Sequence, residues 1–289
     1  MQAYHAAMNM LSAFADEIDD DPAIQIRELE RNKVHSIELR GAWGKNVLSL
    51  SANDIRNLKK QAADHGIGFS ALGSPLGKFP LLGNFQEQLD SLHLALEYAE
   101  ILDAPYIRVF SFYPPEGESV AAYRNQVLEW LGAMTEVATT TSTKLAHENE
   151  RNIYGDTGDR VLDLIISIDS PSLVCTFDFS NFVQCGERPY QDCWVKLKSH
   201  LGYFHIKDSL PDGTVVPAGQ GTGDLARILT EAFADGFSDY LTLEPHLKPF
   251  PGRPLQSKTD RFATAAQALH GLLAKIPGSE SVLKNSHSP

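Results

Sequence analysis

The feature that most constrains the fold is a regular alternation between short apolar runs and longer amphipathic segments. Between Ser12 and Leu243 eight apolar runs recur, and their period of about 33 residues matches one strand, one helix and two loops. An open, doubly wound sheet is the alternative, but it would need a glycine-rich fingerprint after its first strand. Residues 14–17 read Phe-Ala-Asp-Glu instead. The alternation therefore predicts a single eight-stranded parallel α/β barrel, a (β/α)8 TIM barrel.

Several predicted helices carry recognisable signals. Pro22 suits the first turn of a helix, and residues 51–54 are typical of a helix start. Periodic apolar positions predict further helices at 85–102, 123–137, 160–168, 190–198, 225–234 and 259–275. No linker rich in Pro, Gly or Ser divides the chain. We therefore predict one barrel domain at 1–276 and a short polar C-terminal tail at 277–289.

Composition limits which binding partners and which cellular compartment we expect. The chain has 25 basic and 37 acidic side chains, and its net charge of −12 would repel a phosphate backbone. We therefore expect no nucleic-acid partner and a small carbohydrate as ligand. Three cysteines are too few for a disulfide scaffold and indicate a reducing compartment, the cytoplasm. We find no signal peptide and no apolar run of the roughly 18 residues that span a bilayer, so we expect no membrane association. A homo-oligomer is compatible with the sequence.

Four of the apolar runs end in a side chain that can bind a metal ion. Glu148, Asp178, His205 and Glu244 follow one another at intervals of 30, 27 and 39 residues, about one βα unit each. Consecutive parallel strands would bring all four to the carboxyl end of the barrel, where such folds place their chemistry. Buried charges are costly unless they are paired or bound to a metal. The pattern predicts one divalent ion, with Mn²⁺ preferred and Mg²⁺, Zn²⁺ or Co²⁺ also suited to these ligands.

Polar residues beside these strand ends are candidates for contacts with a hydroxylated substrate. They are Asn181 after the sixth strand, Lys207 two residues after His205, His246 after Glu244, and Glu38 and Arg40 at the end of the second strand. Structural alternatives remain open for each. Glu38 and Arg40 could bind each other, Lys207 could form a surface ion pair, and Asn181 could be an ordinary loop residue.

Two clusters also leave alternatives open. In the polar segment 147–151, Glu148 and Glu150 lie on one side of an extended chain and His147 lies on the other. We take Glu148 as the ligand and Glu150 as the alternative ligand. His147 is taken as a packed histidine or as a residue that supports a ligand. The glycine cluster at 219–224 lacks the spacing of a nucleotide-binding loop. It is predicted to cap the following helix or to form a flexible wall beside the seventh strand.

Three motifs carry a family resemblance. They are His-Glu-Asn-Glu at 147–150, Phe-Asp-Phe-Ser-Asn at 177–181 and His-Ile-Lys-Asp at 205–208. With these motifs the chain resembles the sugar-phosphate isomerase/epimerase group of xylose-isomerase-like TIM barrels, which includes ketose 3-epimerases. The resemblance implies one divalent metal held by the four strand-end ligands. It also implies that Glu148 and Glu244 are the catalytic acid/base pair.

The predicted chemistry is proton transfer next to a carbonyl group. A metal that holds the carbonyl and the neighbouring hydroxyl stabilises an enediolate, while one carboxylate removes the proton and a second returns it. We predict a metal-dependent isomerase or epimerase of a keto-sugar or polyol derivative. A lyase that dehydrates a keto-inositol uses the same proton abstraction and is the main alternative. Weaker alternatives are a phosphodiester hydrolase, against which the net charge and the few histidines argue, and a non-catalytic sugar-binding barrel.

Overall fold

The computed structural model describes residues 10–248, 256–280 and 282. Eight parallel strands form its centre. They are β1 (Leu11–Ala13), β2 (Ser36–Leu39), β3 (Gly68–Leu72), β4 (Tyr106–Val109), β5 (Lys144–Glu148), β6 (Leu173–Asp178), β7 (Leu201–Ile206) and β8 (Leu241–Leu243). The strands close into a barrel in sequence order, because β1 pairs with β8 as well as with β2. The predicted eight-stranded α/β barrel is confirmed.

Helices lie between the strands and surround the barrel. They are α1 (Pro22–Arg31), α2 (Ala52–Ala63), α3 (Phe85–Leu102), α4 (Arg124–Ala138), α5 (Gly158–Ile168), α6 (Phe179–Gln184), α7 (Val195–Leu197), α8 (Leu225–Ala234) and α9 (Lys258–Leu273). Two of them differ from the predictions. The short helix α6 was not predicted, and the helix predicted at 190–198 is a π-helix at Pro189–Trp194 that continues into the single turn of α7.

Local sequence explains where several of these helices begin. At the start of α2, Ser51 and Asp54 form a capping box in which each side chain accepts a hydrogen bond from the backbone N–H of the other. Ser257 and Asp260 form the same box before α9, and the side chain of Asp21 caps α1. Each cap satisfies N–H groups that have no partner inside the helix. The helix starts are therefore well defined by sequence.

Successive side chains of the strands alternate between the barrel interior and the helical layer. In β7, Tyr203 and His205 contact each other inside the barrel, whereas Phe204 packs against Phe179 and Trp194 on the outside. A small apolar cluster fills the interior near Tyr203, and its members are Ala71, Tyr106, Ala146 and Tyr203. Polar side chains replace these apolar ones toward the carboxyl ends of the strands, which is where the candidate site lies.

The end of the described chain packs on the barrel. Ser279 donates hydrogen bonds to the carbonyl oxygens of Leu273 and Ile276, and Val282 is buried. Residues 281 and 283–289 of the predicted tail lie outside the described residues, so the domain boundary between 276 and 277 stays a prediction. Among the residues described, no helix has the length and apolar character needed to cross a membrane.

Candidate metal centre

The four predicted ligands meet at the carboxyl end of the barrel. Glu148 and Asp178 are the last residues of β5 and β6, His205 lies one residue before the end of β7, and Glu244 directly follows β8. The strand register pairs His205 with Asp178 on one side and with Thr242 on the other. One ligand atom from each of the four residues lies within 4.8 Å of the others. We call this group the ligand cluster; none of its members is more than 4% exposed.

Two members of the cluster perturb each other strongly. Burial alone would lower the pKa of His205, but the carboxylates of Glu38 and Glu148 raise it to about 10. Burial would raise the pKa of Glu148, yet the neighbouring His205 lowers it to about 2. Without a bound ion, the imidazole is therefore protonated and Glu148 is ionised at neutral pH.

The other two carboxyl groups interact with Lys207. Burial raises the pKa of Asp178 to about 7, although the ammonium group of Lys207 acts in the opposite direction. For Glu244, burial again acts to raise the pKa, but Lys207 and other cations hold it well below the ordinary value. The two glutamates are thus ionised at neutral pH, while Asp178 titrates in that range.

Three buried atoms of the cluster that could bind an ion form no hydrogen bond of good geometry. They are Glu148 Oε2, Asp178 Oδ2 and His205 Nδ1, and each has only an ion-pair contact at 3.0–3.3 Å. Incomplete hydrogen bonding of buried polar atoms is unfavourable. Carboxylate oxygens and an imidazole nitrogen are also the ligands that suit Mn²⁺, Mg²⁺ or Zn²⁺. The residues present therefore fit one divalent metal ion.

Glu38, predicted to contact a substrate, lies beneath His205 instead. Its Oε2 lies 3.0 Å from His205 Nε2, its Oε1 accepts a hydrogen bond from Tyr203 at 3.0 Å, and its side chain has no exposed surface. His205 Nδ1 then faces Glu148 Oε1 at 3.1 Å. In metal sites, a carboxylate in this position fixes the tautomer and orientation of the imidazole ligand. The alternative of a pair between Glu38 and Arg40 is not formed.

Arg108, which sequence analysis did not select, contacts Glu148 from β4. Its Nη1 lies 3.3 Å from Glu148 Oε2, and its Nη2 donates to two backbone oxygens of the loop after β3. The guanidinium group is buried and stacks on the rings of Phe14 and Phe110. The place of Arg108 within the apolar run 106–110 could have indicated a role at the site, because a buried cation requires a nearby anion.

Lys207 and Arg40 contact the cluster from the pocket side. Lys207 Nζ lies 2.8 Å from Glu244 Oε2 and 3.0 Å from Asp178 Oδ2. Arg40 Nη1 lies 3.3 Å from Glu244 Oε1, and its guanidinium carbon lies 4.5 Å from the centre of the Phe14 ring. The surface ion pair considered for Lys207 is therefore replaced by a buried pair with two of the predicted ligands.

Asp178 also caps the N-terminus of α6. Its Oδ1 accepts a hydrogen bond from the backbone N–H of Asn181 at 2.7 Å, so it is the N-cap of this helix. The side chain of Asn181 donates to Glu148 Oε1 at 3.2 Å and to the backbone oxygen of Asn149 at 2.9 Å. Asn181 therefore lies against the cluster and is not a detached loop residue.

The other members of the polar segment 147–151 lie apart from the cluster. Glu150 pairs with Lys78 at 3.2 Å, so Glu148 is the glutamate that lies with the other three ligands. His147 is fully buried and touches Gly155 closely, because a Cβ added there would lie 2.3 Å from its ring. Burial lowers the pKa of His147 to about 4. This side chain is a packed, neutral histidine and does not belong to the ligand cluster.

A pocket with a volume of about 1130 Å³ opens over the cluster. Arg40, Asn181 and Lys207 line this pocket, and each also contacts a carboxylate of the cluster. These three side chains form the floor that separates the pocket from the cluster. His246 also lines the pocket, so four of the five predicted substrate contacts lie here, whereas Glu38 does not.

His246 and Glu17 form a pair at the edge of this floor. His246 Nε2 lies 3.1 Å from Glu17 Oε1 and 3.4 Å from Glu244 Oε1. Sequence analysis did not select Glu17, although it belongs to the acidic run that follows β1. Burial raises the pKa of Glu17, and the charges of His246 and Arg40 oppose this shift. The pair connects the loop after β1 to the loop after β8.

The glycine cluster at 219–224 encloses the carboxylate of Asp208. The backbone N–H groups of Gly219, Gly221 and Gly223 donate to it at 3.0, 2.8 and 2.9 Å. A Cβ at Gly221 would lie 2.3 Å from Asp208 Oδ1, so this close approach requires glycine. The adjoining two-stranded ribbon, Asp208–Ser209 with Val215–Val216, contributes its second strand to the pocket lining. The glycine cluster is thus a hydrogen-bonded wall beside β7.

Family comparison agrees with the barrel fold. A family model described as a xylose isomerase-like TIM barrel matches residues 26–269. The chain belongs to the xylose isomerase-like TIM barrel family, which confirms the resemblance found in the sequence. No curated protein sequence matches the chain significantly.

Solved structures share the fold at low sequence identity. The IolI protein with a bound zinc atom has a TM-score of 0.73 and 16% identity, covering 92% of this chain and 99% of that chain. A D-tagatose 3-epimerase-like protein has a TM-score of 0.72 and 16% identity, covering 92% and 99%. The probable 3-DHS dehydratase AsbF from Bacillus anthracis has a TM-score of 0.71 and 16% identity, covering 91% and 99%. A xylose isomerase-like barrel fused to a 4-hydroxyphenylpyruvate dioxygenase matches 98% of this chain, which spans only 45% of the fusion.

Proposed function

We propose that this protein is a metal-dependent isomerase or epimerase of a keto-sugar or polyol derivative. The observation that carries the proposal is the position of Glu148 and Glu244. They belong to one ligand cluster but come from strands separated by two others, and the cluster lies under a large pocket. Two carboxylates on different sides of one centre can remove a proton from one face of a carbon and return it to the other.

Glu148, Asp178, His205 and Glu244 would hold the ion. When bound, a divalent ion supplies a Lewis acid that polarises a substrate carbonyl and lowers the energy of the negative charge that develops there. Glu148 and Glu244 are ionised at neutral pH, which is the state required of a proton acceptor. Burial of both side chains keeps bulk water from competing for the transferred proton.

The floor of the pocket supplies the contacts proposed for the substrate. Lys207 and Arg40 present positive charge toward oxygens that become negative during proton removal. The side-chain amide of Asn181 and the half-exposed imidazole of His246 are suited to hydroxyl groups. Glu38 would act through His205 and would not touch the substrate.

The comparisons support this proposal at the level of class. A D-tagatose 3-epimerase-like protein shares the fold, and the IolI structure contains zinc. The ion preferred from sequence is Mn²⁺, and the choice among Mn²⁺, Mg²⁺, Zn²⁺ and Co²⁺ is part of the proposal. A small carbohydrate substrate, a cytoplasmic location and a homo-oligomeric assembly are likewise proposed.

Hydrogen exchange tests the proposal directly. The protein loaded with Mn²⁺ should exchange the hydrogen next to the carbonyl of a keto-sugar in deuterated water, as followed by NMR across a panel of keto-sugars. With the ion bound, Glu148→Gln and Glu244→Gln should each slow exchange by about 10²–10⁴-fold. Glu100→Gln is the control, because Glu100 is exposed on α3 and does not line the pocket.

The outcomes separate the claims. Absence of exchange with every keto-sugar would contradict the proposed class. Wild-type exchange in Glu148→Gln, with the ion shown to be bound, would exclude Glu148 as the base. Wild-type exchange in Glu244→Gln alone would leave a one-base mechanism, as in aldose–ketose isomerisation or elimination.

A lyase that dehydrates a keto-inositol is the second candidate. The observation that favours it is the fold shared with the probable 3-DHS dehydratase AsbF. Elimination needs only one base, and either Glu148 or Glu244 could remove the proton. Mass spectrometry of the exchange reactions would show a product that has lost one water if elimination occurs.

A further inference from the structure

Lys207 contacts two of the four side chains of the ligand cluster. It lies two residues after His205, so both side chains project from the same side of β7. The Lys207 side chain is 4% exposed, and its Nζ lies 2.8 Å from Glu244 Oε2 and 3.0 Å from Asp178 Oδ2. A lysine ammonium is a compact positive charge, so it neutralises the same carboxylates that would hold an ion.

The other carboxylate oxygens of Asp178 and Glu244 already have their own partners. Asp178 Oδ1 accepts the N-cap hydrogen bond from Asn181 at 2.7 Å. Glu244 Oε1 lies 3.3 Å from Arg40 and 3.4 Å from His246. The oxygens left for an ion are therefore Asp178 Oδ2 and Glu244 Oε2, and Lys207 contacts both. An ion bound to these two oxygens would lie close to the ammonium group, and the two positive charges would repel each other.

We propose that the ammonium group of Lys207 competes with the metal ion for the carboxylates of Asp178 and Glu244. In the metal-free protein its ammonium group holds Asp178 and Glu244 together in place of the ion. Binding of the ion displaces the ammonium group toward the pocket, which Lys207 already lines. Its four-carbon stem is flexible enough for this change without movement of the strand.

Displacement of the Lys207 ammonium group couples binding of the ion to binding of the substrate. The displaced ammonium group is then available to a negatively charged or polarised oxygen of the substrate, so substrate binds well only after the ion. This second half rests on the proposed function. The competition between Lys207 and the ion rests only on the cluster and can be tested without a substrate.

The first test measures metal affinity. Titration calorimetry with Mn²⁺ alone should show that Lys207→Met binds the ion on the order of tenfold or more tightly than the wild type, because a positive charge next to the ion is removed. Methionine keeps much of the apolar stem. Lys196→Met is the matched control, because Lys196 pairs with Asp159 at the surface and should leave the affinity unchanged. A lysine that only supports the site would give equal or weaker binding when replaced. Tighter binding shows that the charge of Lys207 opposes the ion, and the second test shows whether the ion displaces it.

The second test uses the wild-type protein and so does not depend on the folding of a variant. Amine acetylation, followed by mass spectrometry of the Lys207 peptide, should increase at least severalfold when Mn²⁺ is added, while labelling of Lys196 stays constant. The proposed competition is overturned if folded Lys207→Met binds Mn²⁺ no more tightly than the wild type. It is also overturned if labelling of Lys207 does not rise with Mn²⁺. If the wild type binds no Mn²⁺, Mg²⁺, Zn²⁺ or Co²⁺, the metal-dependent function and this inference both fail. If the competition is confirmed but no keto-sugar exchanges, only the proposed reaction fails.

Discussion

Replacement of Gly77 by alanine should destabilise the loop that lies over Phe110. Gly77 has a φ angle of +81°, and a Cβ at this position would lie 2.1 Å from the backbone oxygen of Phe110. The left-handed backbone costs an L residue about 1–2 kcal/mol. Relief of the overlap with a backbone atom adds about 1–3 kcal/mol. We therefore expect the free energy of unfolding to fall by about 2–5 kcal/mol.

The chain contains a matched control for this prediction. Gly117 has the same φ angle of +81°, but nothing lies within 4 Å of a Cβ added there. Gly117→Ala should therefore show only the conformational part of the loss, at most about 2 kcal/mol. Urea unfolding followed by circular dichroism measures both values. Equal losses in the two variants would refute the argument from the overlap with Phe110.

Two further predictions concern protons released by metal binding, because a protonated imidazole or carboxyl group must lose its proton to bind an ion. With the pKa of His205 raised to about 10 and that of Asp178 raised to about 7, Mn²⁺ should release about one proton at pH 8 and nearly two at pH 6, so its affinity should rise with pH. Calorimetry in buffers of different ionisation enthalpy measures this release, and an affinity independent of pH would contradict it. Glu38 is one of the two carboxylates that raise the pKa of His205, so Glu38→Gln should lower this pKa and reduce the proton release at pH 8 below that of the wild type. Release equal to that of the wild type would show that Glu38 does not hold the imidazole proton.

The position of the ligand cluster was predictable because each ligand ends an apolar strand. Strand and helix periods, together with the spacing of Glu148, Asp178, His205 and Glu244, are local properties of the chain, and a parallel barrel has one end for all such residues. The same logic separated Glu148 from Glu150, which lies beyond the end of β5. Patterns within one βα unit were therefore sufficient for the fold and for the strand-end residues.

The supporting contacts were harder to predict because their partners are distant in sequence. Glu38 lies 167 residues from His205, and no local pattern indicates that a carboxylate at the end of β2 supports an imidazole on β7. Arg108 is also defined by a contact with another strand, although its place in an apolar run was informative. Asp178 could have been recognised as a helix cap, since it precedes the short helix α6.

Phe14 connects the ligand cluster to the closure of the barrel. Its backbone N–H donates to the carbonyl oxygen of Leu243 on the last strand, while its ring meets that of His205 at 5.1 Å and lies against Arg40. The first and last strands must therefore meet before the cluster has all its supports. A divalent ion should then bind the closed barrel in preference to any open chain and stabilise it by mass action. The supply of that ion in a cell would influence how long the chain survives proteolysis, independently of any turnover.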